Sequence, residues 1–156
     1  MKAKDCIAVV TGGASGLGEA CIRTIVEAGG KAAIFDLQVD RAQKLISELG
    51  SSVIFANTDV TSDESVHAAI LKTVSAFGGI NVAINCAGIG DPAKLLSKKG
   101  PMPLSFFNRV VQINLIGTFN VIRLAVEQMV KNTGNEHGEK GVIINTASAA
   151  AFDGQI

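Results

Sequence analysis

Residues 11–18 read Thr-Gly-Gly-Ala-Ser-Gly-Leu-Gly and lie between an apolar run at 6–10 and an apolar-periodic stretch ending near Gly29 and Gly30. A glycine-rich turn joining a strand to a helix constrains this chain more than any other feature. Gly12 permits the tight turn, Gly16 lets main chain approach a ligand closely, and Gly18 lets the helix pack against the strand. The first amides of such a helix lack internal partners and face the same point as the positive end of its dipole. A phosphate or diphosphate suits that point, with Ser15 and Leu17 contributing to the turn. Ser15 could alternatively serve as a local helix cap. Asp36 supplies the second half of the signal, closing another apolar run at 31–35. A carboxylate about 20 residues beyond the glycine turn is placed to accept hydrogen bonds from an adenosine ribose.

The pattern alternates strand and helix. Strands are expected at 6–11, 31–36, 53–57, 81–86 and 141–146, and helices at 16–28, 40–49, 62–77 and 103–131. Such alternation predicts an α/β domain over residues 1–156, a parallel sheet with helices on both faces. Thr61-Ser62-Asp63-Glu64 reads as a capping box, and Gly50 and Gly78-Gly79 as helix stops. In the last helix Val110, Ile113, Gly117, Val121, Leu124 and Ala125 form an apolar stripe that includes Asn114. Asn114 is therefore expected to be buried, stabilising a kink or holding an ordered water. The strand at 141–145 is apolar on both faces and lacks Lys, Pro or an inward charge, so a covering or pairing element is expected there.

Gly12, Asp36, Asp59, residues 85–88 and Ser148 all fall at or just past the carboxyl ends of expected strands, the rim where open α/β sheets bind ligands. Lys and Arg balance Asp and Glu at 14 each, so no basic footprint points to nucleic acid. No leader or 18-residue apolar span is read, and the expected location is intracellular, in cytoplasm or mitochondrial matrix. Cys6, Cys21 and Cys86 are scattered and read as buried free thiols, and no metal site is expected.

The glycine spacing is G-x-x-x-G-x-G, and with it the chain resembles the short-chain dehydrogenase/reductase family. Asn85-Cys86-Ala87-Gly88 resembles the family's Asn-Asn-Ala-Gly segment, with Cys for the second Asn. Asp59-Val60 matches the pair beside the adenine, and Asn114 and Ser148 stand where the family keeps a catalytic Asn and Ser. The likeness runs from about residue 5 to residue 156. It implies a Rossmann-type doubly wound sheet, its amino-terminal five strands ordered 3-2-1-4-5, with NAD as cofactor. Asp36 would select NAD over NADP by repelling a 2′-phosphate, and Cys86 would lie near the nicotinamide ribose.

The implied reaction is hydride transfer between NAD and a secondary alcohol or ketone. Ser148 would orient the substrate oxygen, Asn114 would hold a water in the proton path, and a Tyr-x-x-x-Lys motif would supply the acid/base. Family spacing puts that motif beyond residue 156, and these 156 residues contain no tyrosine. The chain is therefore expected to be incomplete at its carboxyl end and inactive by itself. Residues 117–124, 143–148 and the segment 89–104, with Lys94, Lys98 and Lys99, resemble members acting on 3-hydroxyacyl-CoA thioesters. An acyl-CoA or related secondary alcohol is thus the implied substrate, and a dimer or tetramer the implied assembly. Alternatives stay open. Ser148 could satisfy only its own loop, Asp36 could be only a turn residue, and Asp59 could only add charge at a helix start. The whole could be a non-catalytic dinucleotide-binding or interaction module, or a reductase acting on a ketoacyl group or steroid.

Overall fold

The apolar runs become β1 (Ile7–Thr11), β2 (Lys31–Asp36), β3 (Val53–Asn57), β4 (Val82–Asn85) and β5 (Val142–Asn145) of a computed structural model describing residues 1–90 and 92–153. Residues 91 and 154–156, which include parts of the 89–104 segment and of the family likeness, lie outside the described residues. The strands pair in parallel in the order β3-β2-β1-β4-β5, as expected. They are apolar on both sides because both faces are covered. Ala8, Val10, Ala32 and Ile34 pack with Ile22 and Ile25 of α1 (Gly16–Glu27) and with Ala42 and Leu45 of α2 (Val39–Leu49). Val9, Ala33, Phe35 and Ala83 pack with Val66, Ala69 and Ile70 of α3 (Asp63–Phe77) and with a later helix pair.

That later pair is one long helix in the sequence reading but three pieces in the structure. α4 (Leu104–Val111) passes through a π-helical turn (Gln112–Gly117) into α5 (Thr118–Met129). α5 buries Asn120, Val121, Leu124, Ala125 and Met129 against the sheet, whereas α4 buries no residue. The expectation of no 18-residue apolar span is corrected here. The 26-residue helical stretch Leu104–Met129 reaches a mean hydropathy of 1.3, enough by length and composition to cross a membrane. Its inner face nonetheless carries a polar tie, Asn120 Nδ2 donating to Val60 O at 3.0 Å, and on its exposed side Arg123 pairs with Asp63. A core helix under a sheet passes the same test of length and hydropathy.

The cap of α3 is displaced from the expected box. Thr61 spends its N–H and hydroxyl on Asp59 Oδ1, at 2.9 and 2.7 Å, so Ser62 becomes the N-cap and accepts from Ser65 N–H at 3.2 Å. The 89–104 segment is not a plain loop, since Leu96–Ser97 pairs antiparallel with Gly100–Pro101. β5 closes one side of the sheet with Ile144 49% exposed, and among the described residues nothing pairs with its outer edge. Leu104, Phe107, Leu115, Ile116 and Phe119 are also exposed.

Candidate functional site

Strand register brings the candidate residues to one rim. Thr11 aligns with Phe35 on one side and Asn85 on the other, Asp36 aligns with Asn57, and Asn85 aligns with Asn145. The glycine turn leaves β1 between these neighbours and is pinned from both. Gly12 N–H donates to Phe35 O at 2.9 Å. On the other side the Thr11 hydroxyl accepts from Cys86 N–H at 3.1 Å and Ala87 N–H at 3.0 Å. Thr11 is 1% exposed, and its hydroxyl oxygen joins β1 to the turn after β4. The sequence reading passed over Thr11, since nothing distinguishes it from any polar residue ending a strand.

Gly16 is left-handed (φ +54°), and no heavy atom lies within 4 Å of where its side chain would stand. Gly18 is the opposite case. A methyl group there would overlap the carbonyl oxygen of Gly12, so glycine lets α1 sit directly on the turn. Ser15 holds the N-cap position of α1 but makes no side-chain cap hydrogen bond, and the side chain of Leu17 is 67% exposed. The start of α1 is therefore an uncapped, open cradle of main-chain N–H groups, which suits an anion.

Asp36 is 8% exposed and bridges two segments. Its Oδ2 accepts from Ala14 N–H and its Oδ1 from Gln38 N–H, each at 3.0 Å. The carboxylate thus fastens the glycine turn to the end of β2, a structural duty that the sequence reading did not assign. Two lone pairs remain unused. Beside Ala14, a recess of about 240 Å³ is lined by Glu19, Arg23, Arg41, Lys44, Leu45 and Glu48. Arg23 spans Glu19 and Glu48 there, and its hydrogen bond holds the Glu48 carboxyl below the usual range. Arg41 and Lys44 put cations close to the glycine turn, whose own residues contain none.

Asp59 closes a local turn onto Thr61, while the side chain of Val60 is buried in the core under Gly117. Asn85 is 3% exposed. Its amide donates to Asn145 Oδ1 at 2.9 Å, and its own Oδ1 has no donor among the described residues. Gly88 leads into Ile89, whose N–H and C=O are both clasped by the Asn114 side chain at 2.9 Å. Asn114 is exposed, not buried as its stripe predicted, and it sits in the π-helical turn. The kink reading fits that position. Ser148 is exposed, and its hydroxyl oxygen accepts from Ala150 N–H at 3.2 Å, as a loop serine capping its own turn does. The three cysteines are partly exposed rather than buried.

A recess of about 830 Å³ lies at the amino-terminal edge of the sheet and includes Asn81 and Asn132. Both side chains serve there as staples between segments, on Ile7, Asp5, Ile80 and Lys140. The rim fits a dinucleotide better. It offers the vacant space over Gly16, the free acceptor of Asn85 and the spare lone pairs of Asp36.

Comparison with known proteins agrees with this geometry. A profile of the short chain dehydrogenase family matches residues 6–156. The 3-hydroxyacyl-CoA dehydrogenase type-2 of Bos taurus is 46% identical over 98% of this chain and 59% of its own length. That of Drosophila melanogaster is 43% identical over 98% of this chain and 61% of its own. A crystal structure of 3-hydroxyacyl-CoA dehydrogenase type-2 from Mycobacterium avium superposes with a TM-score of 0.89 at 36% identity, covering 96% of this chain and 58% of that one. The chain thus spans about three fifths of the length of the relatives it matches. A five-stranded sheet in the order 3-2-1-4-5, a glycine turn against its first strand and a profile match over nearly all its residues make this chain a member of the short-chain dehydrogenase family.

Proposed function

We propose that this chain forms the cofactor-binding part of an NAD-dependent oxidoreductase that moves hydride between NAD and a secondary alcohol or its ketone. The substrate class is a 3-hydroxyacyl-CoA thioester, a reading supported by the names of the relatives that match over 98% of the chain. The observation that carries the cofactor assignment is Asp36, a nearly buried carboxylate bonded to the amide of Ala14 inside the glycine turn. This joins the ribose acceptor and the diphosphate cradle into one rigid unit.

The amides of residues 15–17 would hold the diphosphate, and Asp36 would accept from the adenosine ribose. Asp59 and the main chain of Val60 would border the adenine, and residues 85–88, with Cys86, the nicotinamide side. The cofactor, when bound, supplies the hydride chemistry. Ser148 accepts from Ala150 N–H and still has its own proton to donate to a substrate oxygen. Asn114 keeps Ile89 in place and has one amide proton left for a water. General acid/base help is typically worth about 10²–10⁴-fold. With no tyrosine among these 156 residues, the proposal assigns that role to sequence outside them.

Fluorescence titration of the protein extended to the length of its relatives with NADH and NADPH tests the cofactor assignment, and NADH binding at least tenfold tighter than NADPH is expected. Failure to bind either cofactor would favour the interaction-module reading. Turnover of a 3-hydroxyacyl-CoA by the protein extended to the length of its relatives tests the substrate class.

A further inference from the structure

Val60 lies in the connection between β3 and α3, outside any strand ladder, and its carbonyl finds its donor on a remote helix. Asn120 of α5, 60 positions further on and 6% exposed, donates Nδ2 to Val60 O at 3.0 Å. The side-chain oxygen of Asn120 accepts twice from Arg123, from Nε at 3.2 Å and from Nη2 at 2.7 Å. A guanidinium only donates, so Arg123 fixes which end of the Asn120 amide faces Val60. Arg123 Nη2 also pairs with Asp63, the first residue of α3. These contacts close a ring: from Val60 along the chain to Asp63, across Arg123 to Asn120, and back to Val60.

The ring is braced on both flanks. A methyl group on Gly117, three residues before Asn120, would come within 2.6 Å of Val60 Cγ2, so the helix rests directly on that side chain. Upstream, Thr58 N–H donates to Asp36 O at 3.0 Å, which ties the same connection to the end of β2. Asp59 adds no long-range tie of its own, since its hydrogen bonds to Thr61 and Ser65 stay within the connection and the first turn of α3. The placing of Asp59 and Val60 relative to the rest of the rim therefore depends on Asn120.

We infer that Asn120 and Arg123 are positioning residues for the adenine end of the cofactor, an inference that rests on the cofactor reading above. They act through the main chain rather than by touching the nucleotide. Asn120 sets where Val60, and with it Asp59, stands against the base, and Arg123 keeps the Asn120 amide turned to do so. The nicotinamide end is held separately, by Thr11 on Cys86 and Ala87 and by Asn114 on Ile89. Opening the ring leaves those contacts in place, so the loss falls on the adenine end alone.

Two variants test this in the protein extended to the length of its relatives. Asn120→Asp keeps an acceptor for Arg123 but removes the donor to Val60, and Arg123→Ala opens the ring from its exposed side. NADH is titrated by fluorescence and AMP, which carries only the adenine end, by calorimetry. Both ligands are expected to bind about 2- to 30-fold more weakly, each variant showing the same factor for NADH as for AMP. Arg123 is exposed, so its variant decides the matter if Asn120→Asp does not fold. A loss for NADH that AMP does not share would overturn the inference, because the damage would then lie outside the adenine end. Unchanged affinity for both ligands in a folded variant would overturn it too, leaving the cofactor reading intact. Unsubstituted protein that bound neither ligand would refute the cofactor reading itself, and this inference with it.

Discussion

Replacing Asp36 by alanine separates two duties that the structure gives to one carboxylate. In the protein without cofactor, the substitution orphans the amides of Ala14 and Gln38, each bonded at 3.0 Å. A buried donor left unpaired costs about 1–3 kcal/mol. The vacated space is polar and adjoins the solvent at the rim, so a water can recover part of the loss. The net expectation is about 2–4 kcal/mol, read as a lower urea midpoint at constant slope. With cofactor, the lost charge-assisted bonds to ribose are worth about 1.5–3 kcal/mol, which is about a 10- to 150-fold weaker NADH affinity. NADPH should respond differently. Removing the negative charge ends its repulsion, while Arg41 and Lys44 beside Ala14 remain to attract a phosphate. Fluorescence titration under conditions where the variant is folded should therefore show NADPH affinity unchanged or improved. Equal loss for both cofactors would refute the ribose assignment. A stability change below about 0.5 kcal/mol, the range of ordinary surface substitutions, would refute the bridging role.

Three further outcomes follow from particular contacts. Gly18→Ala places a methyl group on the Gly12 carbonyl and should destabilise the fold by about 1–3 kcal/mol, seen as a lower melting temperature. An unchanged melting temperature would show that α1 can lift without cost. Asn120→Leu leaves the buried Val60 carbonyl unpaired and releases Arg123, and should cost about 1–3 kcal/mol in urea unfolding. The 156-residue chain exposes Leu104, Phe107, Leu115, Ile116 and Phe119 together with the open edge of β5, so light scattering should report self-association rather than a monomer.

The fold was legible because its signals are local and repeated. Apolar runs ended by glycine or a polar residue gave all five strands of the sheet, and Gly12, Gly16, Gly18 and Asp36 do gather at one rim of it. Asn114 misled for a definite reason. A stripe counted at 3.6 residues per turn assumes an unbroken α-helix, and the π-helical turn at Gln112–Gly117 winds more residues into each turn. That insertion turns Asn114 to the surface while Val121, Leu124 and Ala125 keep facing the core. Thr11 and Asn120 were not legible, because each owes its role to main-chain groups contributed by remote segments.

The pairing of β5 with β4 also bears on how the molecule assembles. Asn85 and Asn145, which latch the two strands together, are 60 positions apart in the chain. The intervening loop must be closed before that latch returns any energy, and parallel pairings of such long range are intrinsically slow to form. The β1–β2 ladder, whose strands are linked through a single helix, has far less chain to close. Loop closure alone therefore places the β1–β2 pairing before the β4–β5 pairing, and the strand leading to Ser148 joins the sheet late.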